Sequence, residues 1–299
     1  MDLTARLHTR PSQQNAAGRL VPDTRLYIYY FKGRVRARRA DLGRWFIGHW
    51  EEDDCSFIFS DAPVDDEMRM LAQQDPALLL ADRFDMSYGE WQPLDGLPLA
   101  AGGFYLCPPW ASQPPAADYR RLVLDPGLVF GSGCHATTHD CLEALEIVCY
   151  NDENKIETAV DIGTGTGVLA VAAALNGIKR VIGVDNNLLA AETAGHNVTL
   201  NKVDDKVLII KGSALAPAYR QADLIMANIH YDVMDDIIDS PLFHGSRWFI
   251  LSGLLRTPAG KILERLKNFP VEIIKIWNSD EIWYTVLGKA RGENEPKSI

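Results

Sequence analysis

The feature that most constrains this chain is a glycine turn between two predicted strands. An apolar run ends in Asp161, turns through Gly163, Gly165 and Gly167, and opens into an alanine-rich helical stretch. A second β-branched run ends in Asp185, 22 residues after Gly163. In a βαβ unit of this kind, the glycines let the backbone approach a nucleoside, and the second acid can bind both ribose hydroxyls. We therefore predict a nucleoside cofactor here rather than a purely structural turn.

The spacing of the glycines distinguishes between cofactors. Dinucleotide-binding turns read GxGxxG and face a pyrophosphate with a helix N-terminus. Here the spacing is GxGxG, and no basic residue occurs between Asp161 and Leu175. This suits a ligand without phosphates, and the pattern resembles the first motif of class I S-adenosylmethionine-dependent methyltransferases. An NAD-dependent oxidoreductase stays open as an alternative, because the βαβ unit and Asp185 would fit it too.

The composition is that of an ordinary globular protein with an acidic balance. The chain has 299 residues, of which 47% are hydrophobic, and a net charge of −10. This charge argues against adhesion to nucleic acid or anionic membranes. The five cysteines contain no CxxC pair, so neither a disulfide framework nor a metal site is indicated. Because no apolar run has signal-peptide or membrane-spanning length, we expect a cytoplasmic protein.

The pattern along the chain predicts four parts. Residues 1–23 form a loose polar arm, residues 24–88 a small α+β domain, residues 89–121 a Pro- and Gly-rich connector, and residues 122–299 the cofactor-binding domain. In the small domain we predict strands at 26–31, 56–60 and 77–86, and a helix at 65–74. A further short helix, capped by Asp41, would carry Leu42, Trp45, Phe46 and Trp50. One strand, at 104–107, is predicted in the connector.

The large domain alternates between strands and helices. We predict strands near 157–162, 179–184, 206–211, 222–228, 247–252, 271–277 and 282–288. The predicted helices lie near 137–149, 167–176, 187–200, 231–238 and 257–268. Such alternation gives a parallel sheet covered on both faces. Because the last two strands are close together, as in a hairpin, we predict an α/β, Rossmann-like fold with a seven-stranded, mostly parallel sheet and an antiparallel edge strand.

A second Gly-rich segment, DPGLVFGSGCHATT at residues 125–138, leads directly into a predicted helix. Such a segment can fold over a bound ligand as a flap. Thr138 lies in the first turn of the helix, where a hydroxyl can reach a carboxylate or cap the helix. A plain loop at the start of a helix is the alternative interpretation.

A third segment, ADLIMANIHY at residues 222–231, ends an apolar strand in Asn228. Open α/β sheets bind their ligands at this edge. The Asn228 amide and nearby carbonyls can receive an amine and align it, although Asn is also common as a turn residue. We interpret His230 as a partly exposed residue rather than as a base.

In this order, the three segments resemble those of one family, the bacterial ribosomal-protein methyltransferases called PrmA. The resemblance covers residues 88–288. The family's DPGxxFGTGxHxTT segment corresponds to residues 125–138, its glycine turn to 161–170, its acid-ended strand to 183–185, its VANI to 226–229 and its LSG[IL]L to 251–255. The connector motifs of the family recur as Trp91, Gly102-Gly103 and Pro108-Pro109-Trp110.

Members of this family methylate the stalk-base protein, number eleven, of the large ribosomal subunit at its N-terminal amine and at lysines. The resemblance implies an S-adenosylmethionine-dependent protein N-methyltransferase with a class I fold and a small N-terminal substrate-recognition domain. Together with the glycine-turn motif, the resemblance implies that the cofactor-binding residues are Thr138, Asp161, Gly163, Gly165, Asp185 and Asn228. Asn228 is also our candidate for orienting the acceptor amine.

The chain departs from the family pattern after Ile229, where His230-Tyr231-Asp232 replace small apolar residues. A methyltransferase of the same fold acting on another protein or a small molecule is therefore an alternative, and so is a non-catalytic binding protein. Arg34, Arg36 and Arg38 would share one face of an extended strand. The segment is either a contact for RNA or an acidic protein patch or, as we favour, a solvated turn or edge strand protected by charge. We expect a protein substrate and no sequence-specific nucleic-acid binding.

Overall fold

The computed structural model describes residues 20–36, 42–52, 54–92, 96–112, 118–129, 131–151, 156–213 and 221–291. These residues form three β-sheets, of four, three and seven strands. None of the helices in the described ranges is long and apolar enough to cross a membrane. The predicted N-terminal arm lies outside the described residues up to position 19, and Leu20 is buried.

The N-terminal sheet is antiparallel and has the strand order β2-β3-β1-β4. Its elements are β1 (Arg25–Lys32), β2 (Phe46–Glu52), β3 (Cys55–Ser60), α1 (Asp65–Gln74) and β4 (Leu79–Ser87). Side chains of a strand alternate between the two faces of the sheet. Tyr29 and Phe31 accordingly cluster with Met68 of α1, whereas Leu26 and Ile28 belong to an apolar cluster on the opposite face.

The helix predicted after Asp41 is wrong. Residues 46–52 form β2, which pairs with β3 from Phe46 to Glu52. Aromatic and β-branched side chains fit a pleated, half-buried surface, and here strand pairing overrides a local capping signal. Asp41 itself lies outside the described residues.

The extended strand predicted for the basic segment is wrong, whereas the solvated turn predicted as its alternative agrees with the structure. β1 ends at Lys32, and Gly33 turns the backbone into the left-handed region with φ 101°. Arg34 and Arg36 follow this turn as exposed residues outside any strand, and Arg38 lies beyond the described residues. Arg34 and Arg36 therefore do not lie on a strand face.

The connector forms α2 (Tyr88–Trp91) and a small sheet of β5 (Leu99–Ala101), β6 (Phe104–Cys107) and β7 (Arg120–Val123). The predicted strand at 104–107 is confirmed as β6, the central strand of this sheet. The sequence did not predict β5 or β7, which are short and lie beside turn residues. β7 runs parallel to β6 and leads straight into the Gly-rich segment that begins at Asp125.

The seven-stranded sheet has the order β10-β9-β8-β11-β12-β14-β13. Its strands are β8 (Thr158–Ile162), β9 (Arg180–Asp185), β10 (Val207–Lys211), β11 (Leu224–Asn228), β12 (Trp248–Leu255), β13 (Val271–Ser279) and β14 (Trp283–Ala290). The first five strands in this order are parallel, and β14 is antiparallel to both of its neighbours. The predicted fold class is confirmed. The antiparallel strand lies one place in from the edge, because β14 returns from the β13 hairpin to pair with β12.

Helices cover both faces of this sheet. They are α3 (Ala136–Asn151), α4 (Val168–Leu175), α5 (Leu188–Leu200), α6 (Tyr231–Ile238), α7 (Pro241–His244) and α8 (Arg256–Leu266). One apolar core contains Leu145 of α3 and Val171 of α4, and the other contains Ile237 of α6 and Ile262 of α8. The carboxyl ends of β8, β9 and β11 carry the predicted site.

The N-terminal sheet packs directly on α5 and on the Gly-rich segment. Leu26 and Ile28 of β1 share an apolar cluster with Leu128 of the Gly-rich segment and Leu189 of α5. At Gly48 of β2, an added Cβ would lie 3.0 Å from Leu189 Cδ1 and 3.2 Å from Leu128 Cδ1. Both faces of the N-terminal sheet are therefore covered, one by α1 and the other by this cluster.

Candidate functional site

The glycine turn follows β8 at the carboxyl edge of the sheet. Gly163, Gly165 and Gly167 all have left-handed backbones, with φ of 66°, 55° and 81°. Side chains are disfavoured in this conformation, so the turn exposes its backbone. A Cβ on Gly163 would overlap Ile229 Cγ2, which lies just beyond β11. The turn therefore brings β8 and β11 together at one place.

Asp161 lies beneath this turn. Its side chain is 2% exposed, and its Oδ2 accepts bonds from Thr164 Oγ1 at 2.6 Å and from Ala170 N at 3.1 Å. Burial raises the pKa of Asp161 to about 7, against the effect of these two bonds. Both bonds join residues of the turn and of α4, so Asp161 supports the turn from below.

Asp185 ends β9 and faces the same turn from the side. Its Oδ2 accepts from Gly165 N at 3.0 Å, and its Oδ1 accepts from Asn187 N at 2.9 Å. Asn187 caps α5, since its side chain accepts from Leu189 N and Ala190 N. Burial raises the pKa of Asp185, while its backbone bonds lower it. The acid and the glycine turn predicted from the sequence are therefore in direct contact.

The Gly-rich segment from Asp125 lies over the turn. Thr166 Oγ1 donates to Gly131 O at 2.8 Å, which joins the turn to this segment. Asn197 of α5 is fully buried, and its Nδ2 donates to Asp125 O and to Thr166 O, both at 2.8 Å. Its Oδ1 accepts from Asp125 N at 2.8 Å. The sequence offered no signal for Asn197, which lies within α5 and bonds to both the Gly-rich segment and the glycine turn. Phe130 of the Gly-rich segment lies outside the described residues.

The first turn of α3 meets Asn228 at the end of β11. Asn228 Nδ2 donates to Thr137 Oγ1 at 3.2 Å, and Thr137 Oγ1 lies 2.8 Å from His135 Nδ1. Thr137 N also donates to His135 Nδ1, at 3.3 Å. Thr138 is buried beside it. Thr137, which the sequence did not single out, is thus the residue that contacts Asn228.

His230 takes no part in this arrangement. Its side chain is 80% exposed, and its Nδ1 lies 3.3 Å from Asp232 Oδ2 on the surface. As interpreted from the sequence, it is an exposed residue at the start of α6. We assign no general base to the site.

The predicted residues thus meet at the carboxyl ends of β8, β9 and β11. Gly165 bonds to Asp185, Ile229 packs over Gly163, and Asn228 bonds to the helix turn that carries Thr138. Half-buried acid, bare glycine backbone and a side-chain amide together offer acceptors and donors to a neutral or cationic nucleoside. With the strand order of the large sheet, they define a class I methyltransferase fold.

Comparison with known proteins places the chain within that class. The family model for "Ribosomal protein L11 methyltransferase (PrmA)" matches residues 89–291, and the chain belongs to this family. The match leaves the first 88 residues outside it.

Curated relatives and a solved structure agree with this family. The chain is 39% identical to the ribosomal protein L11 methyltransferase of Anoxybacillus flavithermus over 166 residues, 54% of this chain and 52% of that protein. It is 42% identical to that of Heliobacterium modesticaldum over 187 residues, 62% of this chain and 58% of that protein. The ribosomal protein L11 methylase of Lactobacillus delbrueckii subsp. bulgaricus superposes with a TM-score of 0.54 at 29% identity, covering 64% of this chain and 96% of that one. The chain thus spans just over half the length of these two curated relatives.

Proposed function

We propose that this chain is an S-adenosylmethionine-dependent methyltransferase that transfers a methyl group to amines of a ribosomal protein of the large subunit. The observation that carries the proposal is the contact between Asp185 Oδ2 and Gly165 N at the open edge of the sheet. Membership of the family supports the acceptor, since the relatives are named for ribosomal protein L11.

The residues at the edge fit this cofactor. Asp185 would hold the ribose hydroxyls, and the backbone of Gly163 and Gly165 would hold the amino-acid tail. No Lys, Arg or His lies between Asp161 and Leu175 to pair with phosphates. Thr138 and Asn228 complete the predicted set, and Asp161 acts by supporting the turn. When bound, the cofactor supplies a methyl group already activated by a sulfonium.

Positioning provides most of the rate in such a transfer. Asn228, fixed by Thr137, would orient the acceptor amine with its side-chain oxygen. The amine must be unprotonated, and an ordinary lysine has a pKa of about 10.4. Removal of water around the amine lowers this pKa, so that the pocket itself favours the reactive form.

The remaining parts of the chain have proposed roles that follow the sequence analysis. We propose residues 24–88 as the recognition domain, residues 89–121 as the connector and residues 122–299 as the methyltransferase domain. The contact of β2 with α5 supports a recognition domain held beside the cofactor site. A cytoplasmic location fits a ribosomal substrate.

One other acceptor class has specific support. The first 88 residues lie outside the family match, and His230-Tyr231-Asp232 follow Ile229 beside Asn228. Both differences concern the acceptor rather than the cofactor. The second candidate is therefore the same transfer to a different protein or a small molecule.

The test is a methyl-transfer assay with the full chain, labelled S-adenosylmethionine and the proteins of the bacterial large ribosomal subunit, resolved by mass. We expect label on ribosomal protein L11. Asp185→Ala should remove the ribose contact and raise the cofactor dissociation constant at least about tenfold, measured by calorimetry. Asp236→Ala, at an exposed position on α6, is the matched control.

Each other outcome has a definite meaning. Cofactor binding with no label on that protein would move the acceptor to the second candidate. Unchanged binding by Asp185→Ala would overturn the assignment of the cofactor site. Binding of NADH in place of S-adenosylmethionine would favour an oxidoreductase.

A further inference from the structure

A buried carboxylate on α3 has no role in the site described so far. Asp140 is 7% exposed and lies one helical turn after Thr137. We propose that Asp140 is a positioning residue, which fixes the first turn of α3 against the β13–β14 hairpin and thereby holds Thr137 and Asn228 in place. The catalytic consequence of this inference rests on the function proposed above, whereas the positioning itself does not.

Three hydroxyl groups connect Asp140 to the sheet. Ser279 Oγ, at the end of β13, lies 3.1 Å and 3.3 Å from the two carboxylate oxygens. Thr285 Oγ1 of β14 donates to Asp140 Oδ2 at 3.2 Å, and Ser252 Oγ of β12 lies 2.6 Å from Thr285 Oγ1. Thr285 and Ser252 are fully buried.

This chain of hydroxyls has a fixed direction while Asp140 is ionised. A carboxylate can only accept hydrogen bonds, so the Thr285 hydroxyl uses its one proton to donate to Asp140. Thr285 Oγ1 must then accept its other bond from the Ser252 hydroxyl. Burial raises the pKa of the Cys141 thiol to about 12, so that the thiol stays protonated beside Ser252. The carboxylate therefore sets the orientation of both hydroxyls.

Two sets of contacts connect the surroundings of Asp140 with Asn228. Ser252 is the strand partner of Asn228 in the β11–β12 pair, and Ser252 O accepts from Ile229 N at 3.2 Å. On the other side, Thr137 Oγ1 accepts directly from Asn228 Nδ2. Asp140 is linked to Ser252 through Thr285, and it shares a helical turn with Thr137.

The tip of the hairpin makes an independent contact with the same turn. The ring of Trp283, the first residue of β14, packs edge-on against His135 with 5.1 Å between centroids. His135 Nδ1 in turn contacts Thr137 Oγ1. The tip residues Asp280 and Glu281 have left-handed backbones, with φ of 55° and 57°. Such a conformation persists only where surrounding contacts impose it, and the Ser279 and Trp283 contacts flank it.

The charged neighbours of Asp140 are on its own helix and on β13. Burial raises the pKa of Asp140, and the Ser279 and Thr285 hydroxyls lower it. Glu143 raises it further and His139 lowers it. Lys275 of β13 pairs with Glu143 at 3.7 Å rather than with Asp140. Protonation of Asp140 would allow the Thr285 and Ser252 hydroxyls to exchange their donor and acceptor roles.

The test compares variants that remove one link with a variant that keeps it. Asp140→Asn and Thr285→Val should each lower kcat by about tenfold. Thr285→Ser keeps the hydroxyl and should restore the activity. Because the links act as a unit, the double variant should lose no more than the more affected single variant. The acceptor is the ribosomal protein L11 that the wild type methylates.

A second readout does not depend on any acceptor. In the full chain labelled with fluorotryptophan, the Trp283 resonance, assigned by Trp283→Phe, should shift in Asp140→Asn and in Ser279→Ala. In the wild type it should titrate as the pH falls and Asp140 is protonated, and this titration should be absent from Asp140→Asn. The same titration in His139→Gln and in His135→Gln would show that neither histidine is its source.

The outcomes separate the two proposals. Additive losses of kcat, losses that only follow the unfolded fraction, or an unchanged Trp283 resonance would overturn the role of Asp140. If the wild type methylates no ribosomal protein while the Trp283 resonance behaves as expected, the proposed function fails and the positioning role stands.

Discussion

At the scale of single residues, the carboxyl edge is built from acids whose surroundings oppose ionisation. Burial raises the pKa values of Asp140, Asp161 and Asp185. In Asp161 the effect is largest, because its side chain lies under the glycine turn rather than beside solvent. Asp161 Oδ2 can accept the bonds from Thr164 and Ala170 whether the other carboxyl oxygen is protonated or not. Asp161 therefore stabilises the glycine turn in both protonation states.

The stability of the protein should therefore depend on pH through Asp161. Its pKa is about 7 when folded and about 3.9 when unfolded. Between these values the folded state binds more protons than the unfolded state, so the free energy of unfolding falls as pH rises. The contribution of Asp161 to the free energy of unfolding is complete below about pH 4 and is lost as the pH rises through about 7.

We expect Asp161→Asn to remove this part of the slope while keeping an oxygen for Thr164 and Ala170. Urea denaturation without cofactor, between about pH 5 and pH 8, should show a slope smaller by up to about 1.4 kcal/mol per pH unit. Asp236→Asn, at an exposed carboxylate, should match the wild type. Equal slopes for Asp161→Asn and the wild type would show that Asp161 titrates normally.

The residue scale also shows what the sequence could not decide. Strand, turn and acid were readable because their order in the chain specifies Asp161, Gly163 and Asp185. Thr137 and Thr138 differ by only one position, and sequence alone does not say which of two adjacent helical residues faces a partner. Asn197 and Asp140 were missed because polar residues within a helix give no signal of the distant groups they bind.

At the scale of elements, α5 does more than cover the sheet. The side-chain amides of Asn197 and Asn201, four residues apart, bond to the backbone of Val123 and Asp125. Asn201 exchanges bonds with Val123 at 2.9 Å and 2.6 Å, and Asn197 does so with Asp125. The helix thereby acts like the edge of a strand toward the start of the Gly-rich segment.

The two asparagines should differ in their effect on ligand binding. Asn197→Ala leaves buried backbone groups of Asp125 and Thr166 unpaired, so we expect a loss of stability of about 2–4 kcal/mol and weaker binding of S-adenosylhomocysteine. Asn201→Ala is the matched control, because its bonds go to Val123 and to α5 itself and do not reach the glycine turn. Denaturation and calorimetry measure the two effects. Weaker binding by both variants alike would contradict this division.

The elements that the sequence predicted are those with a strong period or a terminal signal. The helix at 65–74 matches α1, and the strands and helices of the large domain lie close to their predicted bounds. β2 was mistaken for a helix because Leu42, Trp45, Phe46 and Trp50 also suit a helical face. β5 and β7 depend on pairing with β6 rather than on a pattern of their own.

At the scale of the whole molecule, the two larger sheets share an apolar layer. Gly48 of β2 approaches Leu128 and Leu189, and the cluster around them joins residues from both halves of the chain. The mostly parallel arrangement of the large sheet followed from the alternation of strands and helices in the sequence. This contact did not, because nothing in the alternation of β1 says which surface its second face meets.

A charge at this contact should separate the sheets. Gly48→Glu places a carboxylate among Leu128 and Leu189, and we expect a larger radius of gyration by small-angle scattering and faster proteolysis between residues 88 and 122. Gly195→Glu on α5, where an added Cβ meets nothing within 4 Å, is the matched control. An unchanged radius of gyration for a folded Gly48→Glu variant would show that the contact tolerates the charge.

The shared apolar layer has a consequence for how such a chain can change over generations. Leu128 lies in the Gly-rich segment that covers the glycine turn, and Leu189 follows the Asn187 cap beside Asp185. The sizes of both side chains are limited by their contact with Gly48. A larger residue at 48 survives only with smaller ones at 128 or 189. We therefore expect the N-terminal sheet and the large sheet with its helices to be inherited as a matched set, so that one could not be exchanged without the other.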